Sequence, residues 1–314
     1  MKIIDFHVHP IPGEADEKRI LKEMDKAQVD MAVLLALDLN PQHLRNEKEK
    51  RAFLEKCLNL YIWNGLQALK NAERILETAN ISNKTVAVMA RKHPERLIAF
   101  GSVNPSQTPK YIEKKLGEIE KLELKGIKLI PTLQFFSPRK EIKKLNRIFE
   151  FCEKTGRIIM FHTGCDPTVW EYPEFSENAN PKLLEGYIKN FKNVQVVLAH
   201  MGSYSMRNPG IWLKEAIELG KRYGNVWFDI AAVTYLLTEK RFAELIAREI
   251  GWKHVLFGSD FPVVRGCSIT SAIEEVKASP YLSAKEKEMV LGVKRYEASW
   301  FGLGFSRFLV FFFS

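Results

Sequence analysis

Residues 126–161 read GIKLIPTLQFFSPRKEIKKLNRIFEFCEKTGRIIMF, and this stretch sets the expected fold. Gly126–Ile130 and Ile158–Phe161 are short, nearly uninterrupted apolar runs rich in isoleucine. Between them, Ser137 and Pro138 are residue types of a helix N-cap and first helical position. Ile142, Leu145, Phe149 and Cys152 then recur at helical spacing, and Gly156 supplies the stop. The unit reads strand, helix, strand. Strands that are apolar throughout, rather than alternating, suit a parallel sheet covered on both faces.

Outward from this unit the same runs recur at Ile3–Phe6, Met31–Ala36, Leu97–Gly101, Val194–Ala199, Val226–Ile230 and Val255–Phe257, which makes eight in all. Helical stripes lie between them, as at Ile112, Leu116, Ile119 and Leu122, and Ser283-Ala-Lys-Glu286 forms a capping box ahead of Met289 and Val290. The pattern predicts an α/β fold, a (β/α)8 TIM barrel, with a doubly wound open sheet as the alternative. Residues 40–92 break the rhythm with 53 residues where one crossover needs far fewer. Phe53, Leu54, Cys57, Leu58, Tyr61, Ile62, Leu66 and Leu69 predict one long helix there, and Val86–Ala90 a second. A barrel takes about 250 residues, so this insertion accounts for most of the surplus in a chain of 314. Without repeats, low-complexity tracts or linkers, residues 1–314 are expected to form a single domain. It carries a helical lid at about 40–92 and an atypical apolar tail at about 292–314.

Composition limits the function. With 46% hydrophobic and 27% charged residues the chain is an ordinary globular protein, not a disordered one. Cys57, Cys152, Cys165 and Cys267 are scattered without a CxxC, which reads as a reduced interior set. Met1-Lys2-Ile3-Ile4-Asp5 has no signal-peptide core, and no segment reaches the roughly 20 apolar residues of a membrane span, so a cytoplasmic location with no membrane partner is expected. Lys+Arg 47 against Asp+Glu 38 gives +9, which raises a nucleic-acid reading. The lysines, however, interleave with glutamates along helices, as in Glu113-Lys-Lys115 and Glu118-Ile-Glu-Lys121. This is the pattern of solvated outer faces, so no nucleic-acid partner is expected.

The chemistry is carried by strand ends. Asp5-Phe-His7-Val-His9 closes the first run, and period-two geometry aims Asp5, His7 and His9 into the barrel interior. Two imidazoles at a strand's C-terminal end can grip one divalent metal, and that end of a barrel is where chemistry is built. His162 ends the fifth run, His200 the sixth and Asp260 the eighth. Four of the seven histidines and one aspartate thus occupy equivalent positions, which argues against chance placement.

These segments resemble the amidohydrolase superfamily, and within it the amidohydrolase-related group that includes aminocarboxymuconate semialdehyde decarboxylase. The resemblance rests on Asp5–His9, Phe100-Gly-Ser-Val-Asn-Pro105, Gly126–Pro131, His162-Thr-Gly164, His200-Met-Gly202, Asp229 and Gly258-Ser-Asp-Phe-Pro262, in that order over about the first 265 residues. It implies that His7, His9, His162 and Asp260 bind one divalent metal, Zn²⁺ or Mn²⁺, beside His200 as acid/base or polarising residue. Three imidazoles and a carboxylate suit Zn²⁺ with an open position for water, whose pKa the ion lowers toward 7. Asp260 would accept that water's proton, and His200 would bond the water or a developing oxyanion. Lys128, near the end of the fourth run, stands where binuclear members carry a carboxylated bridging lysine. The other reading is a buried lysine touching a carboxylate or substrate. Arg45, Arg207 and Arg265 lie in loops able to present a fork to a substrate carboxylate, and Trp170 follows strand five as a pocket-lining candidate.

The leading expectation is a metal-dependent hydrolase of a small amide, ester or lactone. The runner-up is a non-oxidative decarboxylase of a small aromatic or unsaturated acid. A TatD-type nuclease also opens with HxH but places a glutamate near strand four, where Gly126–Pro131 has none. A barrel that binds without catalysing is the alternative of another class. The apolar tail and the insertion lead us to expect a homodimer.

Overall fold

The computed structural model describes residues 2–166 and 168–293. Eight parallel strands form the sheet: β1 (Lys2–Val8), β2 (Met31–Leu35), β3 (Leu97–Ser102), β4 (Gly126–Leu129), β5 (Ile158–Gly164), β6 (Val196–Tyr204), β7 (Val226–Asp229) and β8 (Val255–Leu256). Each pairs with its sequence neighbour, and a short β9 (Gly292–Val293) runs antiparallel to the start of β1. The ring closes where the chain's first strand meets the segment after its last. Phe6 N donates to Phe257 O at 2.9 Å, Asp260 N to His7 O at 2.9 Å and His9 N to Phe261 O at 2.8 Å. This is the α/β TIM barrel, not the open sheet.

All eight apolar runs are strands, because each can be covered on both sides. Residues such as Ile4, Phe6, Val33, Phe100, Met160, Val197 and Trp227 pack together with no helical residue among them, so they fill the barrel. Their alternates (Leu34, Ile127, Phe161, Leu198, Phe228) pack outward against helix stripes such as Ile112–Leu116–Ile119 of Pro109–Lys121 and Leu145–Phe149–Cys152 of Ile142–Thr155. Gly156 caps the second of these at φ +66, as read from the sequence. Ser137 and Pro138 do not start it. Lys140 N and Glu141 N both bond Ser137 O, which makes a separate turn before the helix begins at Ile142. The capping box at Ser283 and Glu286 is present.

The insertion differs from its reading. The expected long helix is two, Glu47–Asn59 and Gly65–Thr78, folded back at Leu60–Asn64, where Tyr61 takes φ +53 and Asn64 caps the second helix. A further helix, Asn83–Lys92, leads into β3. Cys57, Cys152 and Cys165 are buried free thiols, but Cys267 is exposed, since its loop lies outside the core. No helix among the described residues is long and apolar enough to cross a membrane. The tail expected from about 292 lies, beyond Val293, outside the described residues.

Candidate active site

The end of β1 is built around a slip. Pairing with β2 shifts between Asp5 and Val8. Ile4 and Phe6 face the barrel interior below it and Val8 faces the helices above it. A bulge re-aims side chains in this way. His7 and His9 therefore share a site, as expected, while Asp5 does not join them. Its carboxylate instead accepts from His7 N at 3.1 Å and Ser259 N at 3.0 Å, tying β1 to the segment after β8.

Three donor atoms converge. His7 Nε2 lies 3.1 Å from His9 Nε2, and each lies 3.5 Å from Asp260 Oδ1. His7 Nδ1 donates to Asp229 Oδ2 at 2.9 Å, so its proton sits there and Nε2 keeps a lone pair. Burial holds His9 down to about 3 and His7, His162 and His200 well below the ordinary imidazole value, which leaves neutral rings in the ligand form. The ring of His162 stands beside that of His200 with centroids 4.7 Å apart. His162 Nε2 is buried without a hydrogen-bond partner, although Asp166 Oδ2 is 3.3 Å away. Clustered lone pairs, a carboxylate and an orphaned ring nitrogen fit a divalent cation.

Burial raises Asp229, lifts Asp260 well above its ordinary value and brings Asp166 to about 7. The fully buried Lys128 is pushed down to about 8 by the same burial, against the pull of Asp229, Asp260 and Asp166. Its Nζ stands 3.2 Å from His7 Nε2, so this buried lysine touches an imidazole, and it also lines the cavity over the site.

β6 ends in a left-handed run. His200, Met201 and Gly202 have φ of +61, +50 and +71, and Asp260 has +59. For non-glycine residues such backbone is strained and persists only where surroundings hold it. Here Asp229 Oδ1 accepts from His200 N at 2.8 Å and Ala231 N at 3.1 Å. His200 Nδ1 donates to the Ala231 carbonyl at 2.7 Å, which leaves Nε2 as an acceptor. Tyr204 stacks on this ring, centroids 4.4 Å apart.

A cavity of about 450 Å³ opens over these groups, lined by His9, His162, His200, Asp260 and Lys128. Trp170 and Arg265 also line it, as expected, with Trp170 fully buried. Arg45 and Arg207 do not. Arg45 pairs with Glu77 within the insertion, and the Arg207 guanidinium lies 4.5 Å from the Tyr172 ring centroid. Sequence reading missed Arg74, Asp166 and Tyr204, which also line the cavity. Asp166 and Tyr204 each follow a site histidine by four residues, across the shift in β5–β6 pairing and the left-handed run at His200–Gly202 that break the regular strand period. Arg74 belongs to the helix Gly65–Thr78, whose far end forms the outer wall through Arg74, Ile75 and Thr78.

No curated protein matches the chain. Among solved structures it is similar to an uncharacterised TIM-barrel protein from Bordetella bronchiseptica, with TM-score 0.66 and 18% identity over 98% of this chain and 100% of that one. It is also similar to a probable 2-pyrone-4,6-dicarboxylic acid hydrolase from Acinetobacter baumannii, with TM-score 0.59 and 13% identity over 93% and 97%. A third is 5-carboxyvanillate decarboxylase from Novosphingobium aromaticivorans, complexed with manganese, with TM-score 0.58 and 17% identity over 92% and 81%. These likenesses show the fold. The family model described as amidohydrolase matches residues 4–292. With nearly its whole length matched, and its conserved-fold barrel in place, the chain belongs to the amidohydrolase family.

Proposed function

We propose that the protein is a metal-dependent hydrolase of a small amide, ester or lactone. In this reading His7, His9, His162 and Asp260 hold one divalent ion, Zn²⁺ or Mn²⁺. The observation that carries it is the convergence of His7 Nε2, His9 Nε2 and Asp260 Oδ1 within 3.1–3.5 Å of one another, beside the cavity that His9 and Asp260 line. A bound divalent ion supplies Lewis acidity, making water a competent nucleophile near neutral pH.

The chain's own groups do the rest. Asp229 fixes the His7 tautomer, so the donor nitrogen faces the site. Asp260 takes the proton of the attacking water as its oxygen bonds the carbonyl carbon, then returns it to the amine or alkoxide as the C–N or C–O bond breaks. His200, protonated on Nδ1, accepts at Nε2, which favours a role toward water over one toward an oxyanion. Trp170, Ile130 and Leu133 give the cavity an apolar wall, which favours a small substrate with an apolar body.

Decarboxylation is the second reading. It is supported by Arg74 and Arg265 on the cavity, which match a carboxylate, and decarboxylases stand among the structural relatives. Metal analysis of wild type, His7→Ala and Asp260→Ala, followed by lactone, ester and amide panels beside CO₂ release from a carboxylic-acid panel, tests both. Hydrolysis with one ion per chain, lost by roughly 10²–10⁴-fold in Asp260→Asn, is expected. CO₂ release without hydrolysis would transfer the assignment to the second reading. Undiminished metal in both alanine variants would remove the centre.

A further inference from the structure

The two helices inserted after β2 meet at a tip that the other described residues leave uncovered. Leu58, Tyr61, Trp63 and Leu66 are 75%, 87%, 101% and 63% exposed. Cys57 and Leu69, on the other side of the same hairpin, are buried. A single exposed leucine needs no explanation, but four large apolar side chains within nine residues mark a contact surface.

The flanking charges point to what covers it. Glu55 precedes Leu58 by three residues on the first helix, and Lys70 follows Leu66 by four on the second. Residues three or four apart share a helix face, and both charged side chains are exposed. One hairpin therefore carries an acid on one helix and a base on the other, around an apolar centre. Such a patch complements itself: about a two-fold axis each Glu55 meets the other copy's Lys70 while the rings pack between them. A lipid surface would gain nothing from Glu55.

We propose that this tip joins two copies of the chain in a two-fold symmetric dimer. The area is sufficient. Two aromatic side chains at roughly 150–250 Å² each, with the leucines, place on the order of 500 Å² of apolar surface at one tip. Two tips face to face remove about 1,000 Å², the lower bound of a specific interface. The contact also reaches the site. The helix Gly65–Thr78 runs from Leu66 at the tip to Arg74, Ile75 and Thr78 on the cavity, about 12–18 Å along one rigid rod. A partner at the tip thereby fixes the cavity's outer wall.

Sedimentation velocity of the full chain at micromolar concentration tests this. Wild type is expected at twice 36.2 kDa and the Tyr61→Ser/Trp63→Ser variant at 36.2 kDa. The variant is expected to keep one cooperative unfolding transition, with a midpoint that no longer rises with protein concentration as that of the wild-type dimer does. Glu55→Lys is expected to weaken the dimer at least tenfold, and Glu55→Lys/Lys70→Glu to restore it. A wild type at 36.2 kDa overturns the proposal, including one that instead binds anionic vesicles. So does a dimer that survives Tyr61→Ser/Trp63→Ser, or a double charge reversal that fails to recover it.

Discussion

Asp229 lies beneath the site and serves two histidines at once. One oxygen takes the His7 Nδ1 proton, and the other holds the backbone amides of His200 and Ala231 in their unusual turn. Asp229→Asn keeps the shape and loses the charge that favours the His7 tautomer. Its affinity for Zn²⁺ or Mn²⁺ is expected to fall roughly 10–100-fold by calorimetric titration; an unchanged affinity would remove this role. His254, far from the site, reports on pH. Burial lowers it from its ordinary 6.5 while it stacks on Trp227 at 4.3 Å. The unfolded chain therefore takes up this proton first, and stability is lost as pH falls through 6.5. His254→Phe is expected to lose less unfolding free energy than wild type between about pH 7 and about pH 5, and an equal loss would contradict this. Residue by residue, the site's histidines and Asp260 were legible because each ends an apolar strand. Asp229 was quotable from its strand but not assignable to a task. Asp166 was not legible at all, because only the fold sets it against Thr132 and His162.

At the scale of elements, strands were easier to read than helix ends. A strand buried on both faces announces itself by composition, whereas a helix start depends on which of several turn-forming residues the chain uses. At 137–142 it uses them for a turn first. The insertion misled for the opposite reason. Apolar spacing runs unbroken from Phe53 to Leu69, yet Asn64-Gly65 lets the chain fold back. Glycine substitutions separate strain from collision. Gly156→Ala places an alanine at φ +66 with nothing within 4 Å of the new Cβ, so a cost of about 1 kcal/mol is expected. Gly202→Ala adds to φ +71 a Cβ only 2.5 Å from Trp212 O, between β6 and the helix Leu213–Arg222. It is expected to cost about 3 kcal/mol or more. Urea unfolding of the two variants checks the order, and equal costs would contradict it.

For the molecule as a whole, the excess of positive charge settles on outer surfaces. Pairs such as Arg147–Glu113, Lys221–Glu249 and Arg222–Glu185 join neighbouring helices in solvent, where each contributes little. The ion centre is expected to contribute more. Zn²⁺ at about 100 times its dissociation constant should raise the unfolding free energy by about 2.7 kcal/mol. Thermal melts with and without chelator should show this for wild type and not for His7→Ala or Asp260→Ala; equal shifts in all three would contradict it. The placement of those donors at the barrel's closing seam has a temporal consequence. His7 and His9 are synthesised well before Asp260, which follows His7 by 253 positions. Until the segment after β8 docks against β1, the three donor atoms share no point in space, and a chain that stops before Asp260 never assembles them. Metal loading at these donors would therefore report that the ring from β1 to the segment after β8 has closed.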